Sequence, residues 1–424
     1  MDEIRQGQQI VIVGGGAAGF FAAITCAAAC PGAEVKLLEA SRQPLSKVRI
    51  SGGGRCNVTH ACFDPAQLIQ HYPRGGKALR GAFSRFQPQD TIDWFRQHGV
   101  MLKTEADGRM FPVTNDSGTI VDCLLQTARQ AGVQLYTSLS LTAVQPTATG
   151  FHLTLKNGDQ WIADRLLLAT GSSPSGYALA QSLGHQIEPP VPSLFTLRIA
   201  DAALQSLAGV AVESVQARLR FLDHKPLEQT GALLITHWGV SGPAILKLSA
   251  WGARLLHDCQ YRATLEINWL PQFSQAQSHQ RLLEMKQTYP NRSIATQGWA
   301  ELPRRLWQYL TARSQISAEQ RWAELSKVQM QQLLQQLHQG RYPIQGKGQF
   351  KEEFVTCGGV NLKQVDFKTM GSRVCPHLYL AGEVLDIDGV TGGFNFQSAW
   401  TTGWIAGQAI AQSCAASRDL SHGS

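Results

Sequence analysis

The sequence predicts an α/β fold in which a parallel-sheet domain is built from both ends of the chain and interrupted by a β-barrel-like segment and a small helical one. Three observations carry this. Near the N-terminus, "QIVIVGGG", "AAGFFAAITCAAA" and "AEVKLLEA" read as strand, glycine turn, helix and strand, the parts of a right-handed βαβ unit. Near the C-terminus, "HLYLAGEVLDIDGVTGGFNFQSAWTTGWIAGQAIAQ" repeats the texture: strand, glycine-rich loop, long helix. Between them, after Pro189, short β-rich runs replace the alternation of strand and helix.

The elements follow in order. A helix near Ser117 to Gly132 precedes "LYTSLSLTAVQPTATGFHLTLKNGDQWIADRLLLATG", an antiparallel meander with a hairpin signal at Asn157-Gly158 that returns to a buried strand, Arg165 to Thr170. From Pro189 to Pro271 the runs are short and β-rich. From there to Gly340, Gln, Arg and Leu recur at helical spacing, as in "SKVQMQQLLQQLHQG". The expected division is 1–188 for the first segment of the parallel-sheet domain, 189–270 for a barrel-like substrate domain and 271–340 for the helical subdomain. Residues 341–360 return through the barrel, and 361–424 form the second segment.

A chain of 424 residues exceeds what one hydrophobic core sustains, so more than one domain is expected. Hydrophobic residues at 43% and charged residues at 16% exclude a disordered or fibrous chain. The formal charge of +7 weakly favours an acidic partner. Most of the surplus lies in residues 271–345, where nine Lys or Arg face four Glu, as a solvated helical face or as a docking surface. Nine cysteines without a CxxC pair point to reduced thiols, a cytoplasmic location and no metal site. Asp2 and Glu3 are wrong for the start of a secretion signal. No apolar run of about 18 residues implies a membrane span.

The chemistry begins with Gly14, Gly16 and Gly19, a G-x-G-x-x-G that follows a strand and opens a helix. Gly14 permits the turn, Gly16 lets a diphosphate approach the backbone, and Gly19 lets helix pack on strand. The helix N-terminus offers N–H groups and partial positive charge to the phosphates. Glu39, twenty residues beyond Gly19, is placed to accept an adenosine ribose's hydroxyls. This is a dinucleotide fingerprint, shared by NAD and FAD. Two other stretches decide for FAD. "ISGGGRCN" is a side-chain-free loop suited to a long flavin, with Lys47 or Arg55 near its phosphates or its reduced ring. Gly382-Glu383 brings a carboxylate toward the ribityl or diphosphate region, and Gly392 and Gly393 open a helix whose bare amides stabilise charge on a reduced flavin.

Together "VIVGGGAAGFFAA", "KVRISGGGRCNVT", "THWGVSGPAILKLS", "TCGGVNLKQVDFKTM" and "LYLAGEVLDIDGVTGGFNFQSAW" resemble the BaiN/RdsA family of bacterial FAD-dependent oxidoreductases, the aminoacetone-oxidase-like flavoproteins, over nearly the whole chain. The resemblance implies a Rossmann-like FAD-binding domain in two segments with an inserted β-barrel and helical subdomain. It implies FAD contacts at Gly14, Gly16, Gly19, Glu39, Lys47, Gly53, Arg55, Cys56, Asn57, Glu383, Gly393 and Asn395; Ala18, Leu141, Thr170, Gly171 and Gly382 complete the expected cofactor-binding set. One departure is the short "ATGSSPSGYALAQSLGH", where the family has a longer glycine-rich segment near the cofactor.

Members of the family are linked to amine oxidation, bile-acid reduction and reduction of a ribosomal RNA uridine to dihydrouridine. The last suits the basic helical segment. It requires hydride at C6 and a proton at C5, with NAD(P)H as a transient electron donor. The alternatives are a small-molecule amine or enone oxidoreductase and an RNA-binding protein with structural FAD. Cys56 is a candidate acid, though a buried structural thiol is the better reading. No catalytic role is assigned, to His60, His237 or Trp238 or to any other residue, and oligomeric state is not encoded legibly.

Overall fold

The computed structural model describes residues 7–221, 223–348 and 355–421, with side chains described as far as Cys414; Asp2 and Glu3 lie outside these residues. The chain divides into two compact units. One runs through Pro190 and resumes at Thr356; the other is Val191–Val355.

The first unit is organised on a seven-stranded sheet. Its strands lie in the order Val365–Asp366, Gly371–Ser372, Leu378–Leu380, Arg165–Leu168, Gln9–Val13 (β1), Glu34–Leu38 (β2) and Gln134–Tyr136. The five from Leu378–Leu380 to Gln134–Tyr136 are parallel, and the first two add antiparallel at one edge. Ile10, Val11 and Ile12 are fully buried, as are Leu166, Leu167 and Leu168, because a parallel strand is covered on both faces. Gln134–Tyr136 was expected in the meander. It pairs instead with β2, Leu135 opposite Leu37, which leaves its apolar residue half-buried at the edge of the sheet. The meander proper is the three-stranded sheet Leu141–Pro146, Phe151–Leu155 and Gln160–Ala163, with Gly158 at φ +92° in its expected turn.

Two helices join the ends of the chain. Ala17–Ala29 (α1) is buried without a break from Ala18 to Ala27, which its Ala, Gly, Thr, Cys and Phe residues allow. Against it lies the terminal helix Phe394–Ser421. A Cβ on Gly403 would stand 2.5 Å from the Ala18 carbonyl oxygen, and one on Gly407 2.6 Å from that of Ala22. Glycines four apart therefore let the two backbones touch.

The second unit is a closed six-stranded antiparallel barrel, ordered Leu197–Ile199, Gly239–Ser241, Leu227–Thr236, Ala211–Arg220, Thr264–Asn268 and Gly340–Lys347. Helices Gln275–Thr288, Arg304–Arg313 and Lys327–Gln339 share its core: Val215, Leu219, Leu265 and Ile267 belong to one apolar cluster with Trp299, Trp307, Trp322 and Leu333. Ser274 and Ser326 start two of these helices with reciprocal capping boxes to Gln277 and Gln329. Among the described residues no helix is long and apolar enough to cross a membrane.

Candidate functional site

The first glycine turn closes where β1 meets α1. Gly14 adopts φ +113°, donates to the Leu38 carbonyl at 2.8 Å, and lies where a Cβ would be 2.3 Å from the Ala169 carbonyl oxygen. A Cβ on Gly19 would stand 1.9 Å from the Gly14 carbonyl oxygen, so helix and turn interlock. Gly16 is different. It is the N-cap of α1, with no side-chain cap, and a Cβ there would meet nothing within 4 Å. The helix start is therefore held rigidly from behind and open in front. Glu39 directly follows β2, and its Oε2 accepts from the Gly15 N–H at 2.8 Å while Oε1 accepts from the Ser41 N–H and hydroxyl. The carboxylate is thereby fixed beside the turn. Leu141 is buried at the start of the meander, two residues after Leu139, whose N–H donates to the Glu39 carbonyl.

The glycine triplet in Ser46–Gly54 (α2) has a reason in the backbone itself. Gly52, Gly53 and Gly54 have φ of +57°, +69° and +82°. Nothing lies within 4 Å of a Cβ on Gly53 or Gly54; only Gly52 is crowded, 3.0 Å from Phe111 and 3.1 Å from the Asn57 nitrogen. Glycine is required because the backbone runs left-handed over three consecutive residues. Arg55 then turns back, ion-paired to Glu105 at 2.6 Å with its guanidinium 4.0 Å from the Phe111 ring centroid. Cys56 is fully buried, and burial pushes its thiol up to about 12, partly offset by Ser51, so it holds its proton and is no tuned acid.

The two ends of the chain meet here. With the Asn57 amide Nδ2 donating to the Thr59 carbonyl at 3.1 Å, its Oδ1 accepts from the Gly393 N–H at 3.0 Å. Gly393, at φ +93°, sits where a Cβ would be 2.6 Å from the Thr59 carbonyl. Gly382, at φ +76°, donates to Thr402 Oγ1, and a Cβ on it would be 2.7 Å from that of Ala18. Glu383 receives Lys47 Nζ at 2.5 Å and the Thr356 N–H at 3.1 Å. Its Oε2 lies 3.7 Å from the Cβ position of Gly171, which has φ +60°. Thr170 precedes it. Asn395 closes the loop before the terminal helix, exchanging two hydrogen bonds with the Gly389 backbone.

Sequence reasoning missed several neighbours. Arg74 is ion-paired to the fully buried Asp388. Tyr72 donates to the Phe394 carbonyl at 2.6 Å, and His71 stacks on the Phe394 ring at 4.2 Å. Thr59 and Thr91 both donate to Gln397 in the terminal helix, locking the glycine loop to it. The aspartates of "LDIDG" were the available signal. His60 Nδ1 lies 3.1 Å from the Gly392 carbonyl oxygen, whereas His237 and Trp238 belong to the barrel unit.

The residues of the first unit fit a dinucleotide. The open N-cap at Gly16 is shaped for a diphosphate, and Thr170 carries a buried hydroxyl without a hydrogen-bond partner. Glu39 supplies an acceptor on one side of the turn, and Glu383 with Lys47 supplies both charges on the other. Among the described residues no group of three His, Cys, Asp or Glu is arranged to hold a metal ion.

The family model described as "HI0933-like protein Rossmann domain" matches residues 8–409. The chain is 30% identical over 413 residues to the 3-dehydro-bile acid delta(4,6)-reductase of Clostridium scindens, covering 95% of this chain and 99% of that protein. It is 32% identical over 412 residues to the ribosomal RNA dihydrouridine synthase of Escherichia coli, covering 94% and 96%. Among solved structures, the 3-ketosteroid-delta4-(5alpha)-dehydrogenase from Rhodococcus jostii RHA1 matches with a TM-score of 0.51 at 14% identity, over 97% of this chain and 98% of that one, a likeness of fold.

Proposed function

The chain belongs to the HI0933-like, BaiN/RdsA-like family and is an FAD-dependent oxidoreductase, and we propose that it reduces a uridine of ribosomal RNA to dihydrouridine in the cytoplasm, with NAD(P)H as electron donor. The carrying observation is that relatives matching almost the whole chain are named for one bond type. In uridine and in a 3-dehydro-delta(4,6) bile acid alike, the reduced carbon–carbon double bond is conjugated to a carbonyl. Such a bond takes hydride at its β carbon and a proton at its α carbon.

FAD, when bound, supplies the two-electron hydride chemistry. In this reading the two flanking segments, 1–188 and 361–424, hold it, with the barrel and helical segments, 189–360, between them. Gly14, Gly16, Ala18 and Gly19 seat the diphosphate on the α1 N-terminus, and Glu39 with Leu141 borders the adenosine. Lys47, Gly53, Arg55, Cys56 and Asn57 form the loop beside it. Thr170, Gly171, Gly382, Glu383, Gly393 and Asn395 complete the far side, where the terminal helix places its partial positive charge.

RNA is favoured over a small molecule by the helical segment of the second unit. Arg292, Arg304, Arg321 and Lys327 are exposed there, as cations that meet phosphates must be. The bile-acid relative supports a second reading, reduction of a small conjugated enone. The test is a strain lacking the gene, with its ribosomal RNA surveyed for dihydrouridine. Loss of one modified uridine, restored by the intact gene, is expected; an unchanged pattern refutes the RNA substrate. Anaerobic bleaching of the bound flavin by NAD(P)H separates either reaction from a purely structural cofactor.

A further inference from the structure

Tyr177 lies in the first turns of the helix Pro174–Ser182, is 6% exposed, and has a buried hydroxyl with no hydrogen-bond partner. It does not stand alone. Gly176 draws the helix so close to the end of the Arg165–Leu168 strand that a Cβ there would be 1.9 Å from Thr170 Oγ1, the other unpartnered buried hydroxyl of this region. Buried hydroxyls are almost always paired, so two such groups, one on Thr170 and one on the residue that follows Gly176, mark a place where a ligand completes the bonding.

The surrounding charges say what kind of ligand atom. Burial raises the Tyr177 pKa, and the negative charges of Glu383 and Asp386 raise it further, so the phenol is neutral and keeps its proton to donate. Glu383 stands beside Gly171 and carries the Lys47 ion pair. Two carboxylates repel a phosphate. They accept readily from alcohol O–H groups, while a phenol and a threonine hydroxyl both donate and accept. A polyol meets this combination, and a diphosphate does not.

We propose that the Tyr177 hydroxyl, together with that of Thr170, binds the ribityl chain of FAD beside Glu383. This rests on the FAD reading above, and the experiment separates the two. Apoprotein of the wild type and of Tyr177→Phe is titrated with FAD and, separately, with ADP, which shares the adenosine diphosphate but lacks the ribityl chain. Tyr177→Phe keeps the ring and removes one hydrogen-bonding group, so FAD affinity should fall about 5- to 10-fold, with ADP affinity unchanged and the apoprotein melting temperature no lower. Thr170→Val should behave alike. Unchanged FAD affinity in Tyr177→Phe overturns the assignment, and so does an equal fall for FAD and ADP, which would place the hydroxyl at the nucleotide end. Wild-type protein that takes up ADP but not FAD overturns the FAD reading itself.

Discussion

Alanine at Gly393 and alanine at Gly53 should have very different costs, although both glycines have positive φ, +93° and +69°. A side chain held in left-handed backbone costs about 1–2 kcal/mol, and the stiffer unfolded chain returns about 0.4–1 kcal/mol. At Gly53 that is nearly the whole account, since a Cβ meets nothing within 4 Å. Gly53→Ala should therefore lose about 1 kcal/mol. At Gly393 the Cβ falls 2.6 Å from the Thr59 carbonyl carbon and oxygen and 2.9 Å from Asn57 Oδ1. The first two are backbone and cannot rotate away, so an overpacking cost of about 1–3 kcal/mol is added. Gly393→Ala should lose about 2–4 kcal/mol. At roughly 2–4 °C per kcal/mol for a unit of this size, thermal denaturation of the apoproteins resolves the two. The displacement at Gly393 also parts the loop from the terminal helix, so FAD retention should fall with it. Any loss of FAD by Gly53→Ala beyond its small stability cost reports a cofactor passing through the open space in front of it. Equal destabilisation by both variants, or a larger loss at Gly53, would refute the reasoning.

Two further outcomes follow from buried titratable groups. Glu266 is 3% exposed and pairs with Arg220 at 2.7 Å, with Arg218 at 3.2 Å and with Arg341 at 3.6 Å. Burial alone would raise its pKa, but the Arg220 hydrogen bond and the three arginine charges hold it below the usual carboxylate value. Its contribution is therefore present above the unfolded pKa of about 4.3 and is lost as pH falls through the lower folded one. Glu266→Gln should be less stable than wild type by about 2 kcal/mol at pH 7, with the gap closing below about pH 4; denaturant titrations at both pH values check this, and a gap that persists in acid would count against it. Cys56, fully buried with its thiol up at about 12, should resist iodoacetamide in the folded protein while the half-buried Cys62 and Cys259 react, and Cys56→Ser should retain a flavin that can be reduced. Peptide mass spectrometry showing Cys56 alkylated as fast as Cys62 would contradict it.

What was legible in the sequence depended on whether local spacing alone enforces the geometry. Gly14, Gly16 and Gly19 were readable because strand, turn and helix are contiguous: Gly14 answers to Ala169 across one strand, Gly19 to Gly14, and Gly16 keeps the helix start open. The α/β class and the barrel were readable from alternation and texture in the same way. The glycine triplet was readable as special, but its left-handed backbone was not, because close approach and left-handed backbone select the same residue. Only coordinates show that Gly53 faces open space. Gln134–Tyr136 was misplaced because a short apolar strand carries no sign of which sheet it joins, and Leu37 decided it. Tyr177 carried no motif at all. Its environment is assembled from Gly176, Thr170, Glu383 and Asp386, residues more than two hundred positions apart.

The order of charges along the site explains why both ends of the chain are needed. Glu39 is bonded to the Gly15 N–H, which puts a carboxylate on one flank of the open α1 N-terminus. Gly14 abuts Ala169 and Thr170, and Gly171 abuts Glu383, which puts a second carboxylate on the other flank. Acceptor, donors and acceptor in that sequence match a diphosphate lying between two hydroxyl-rich groups, and an additional phosphate at either end would be repelled. The N-terminal segment supplies the first carboxylate and the donors. The second carboxylate comes from beyond the barrel, and it reaches its place because Gly403 and Gly407 let the terminal helix touch α1. The helix contact is thus part of the binding chemistry: any side chain that pushes these two helices apart moves Gly382 off Ala18 and carries Glu383 with it.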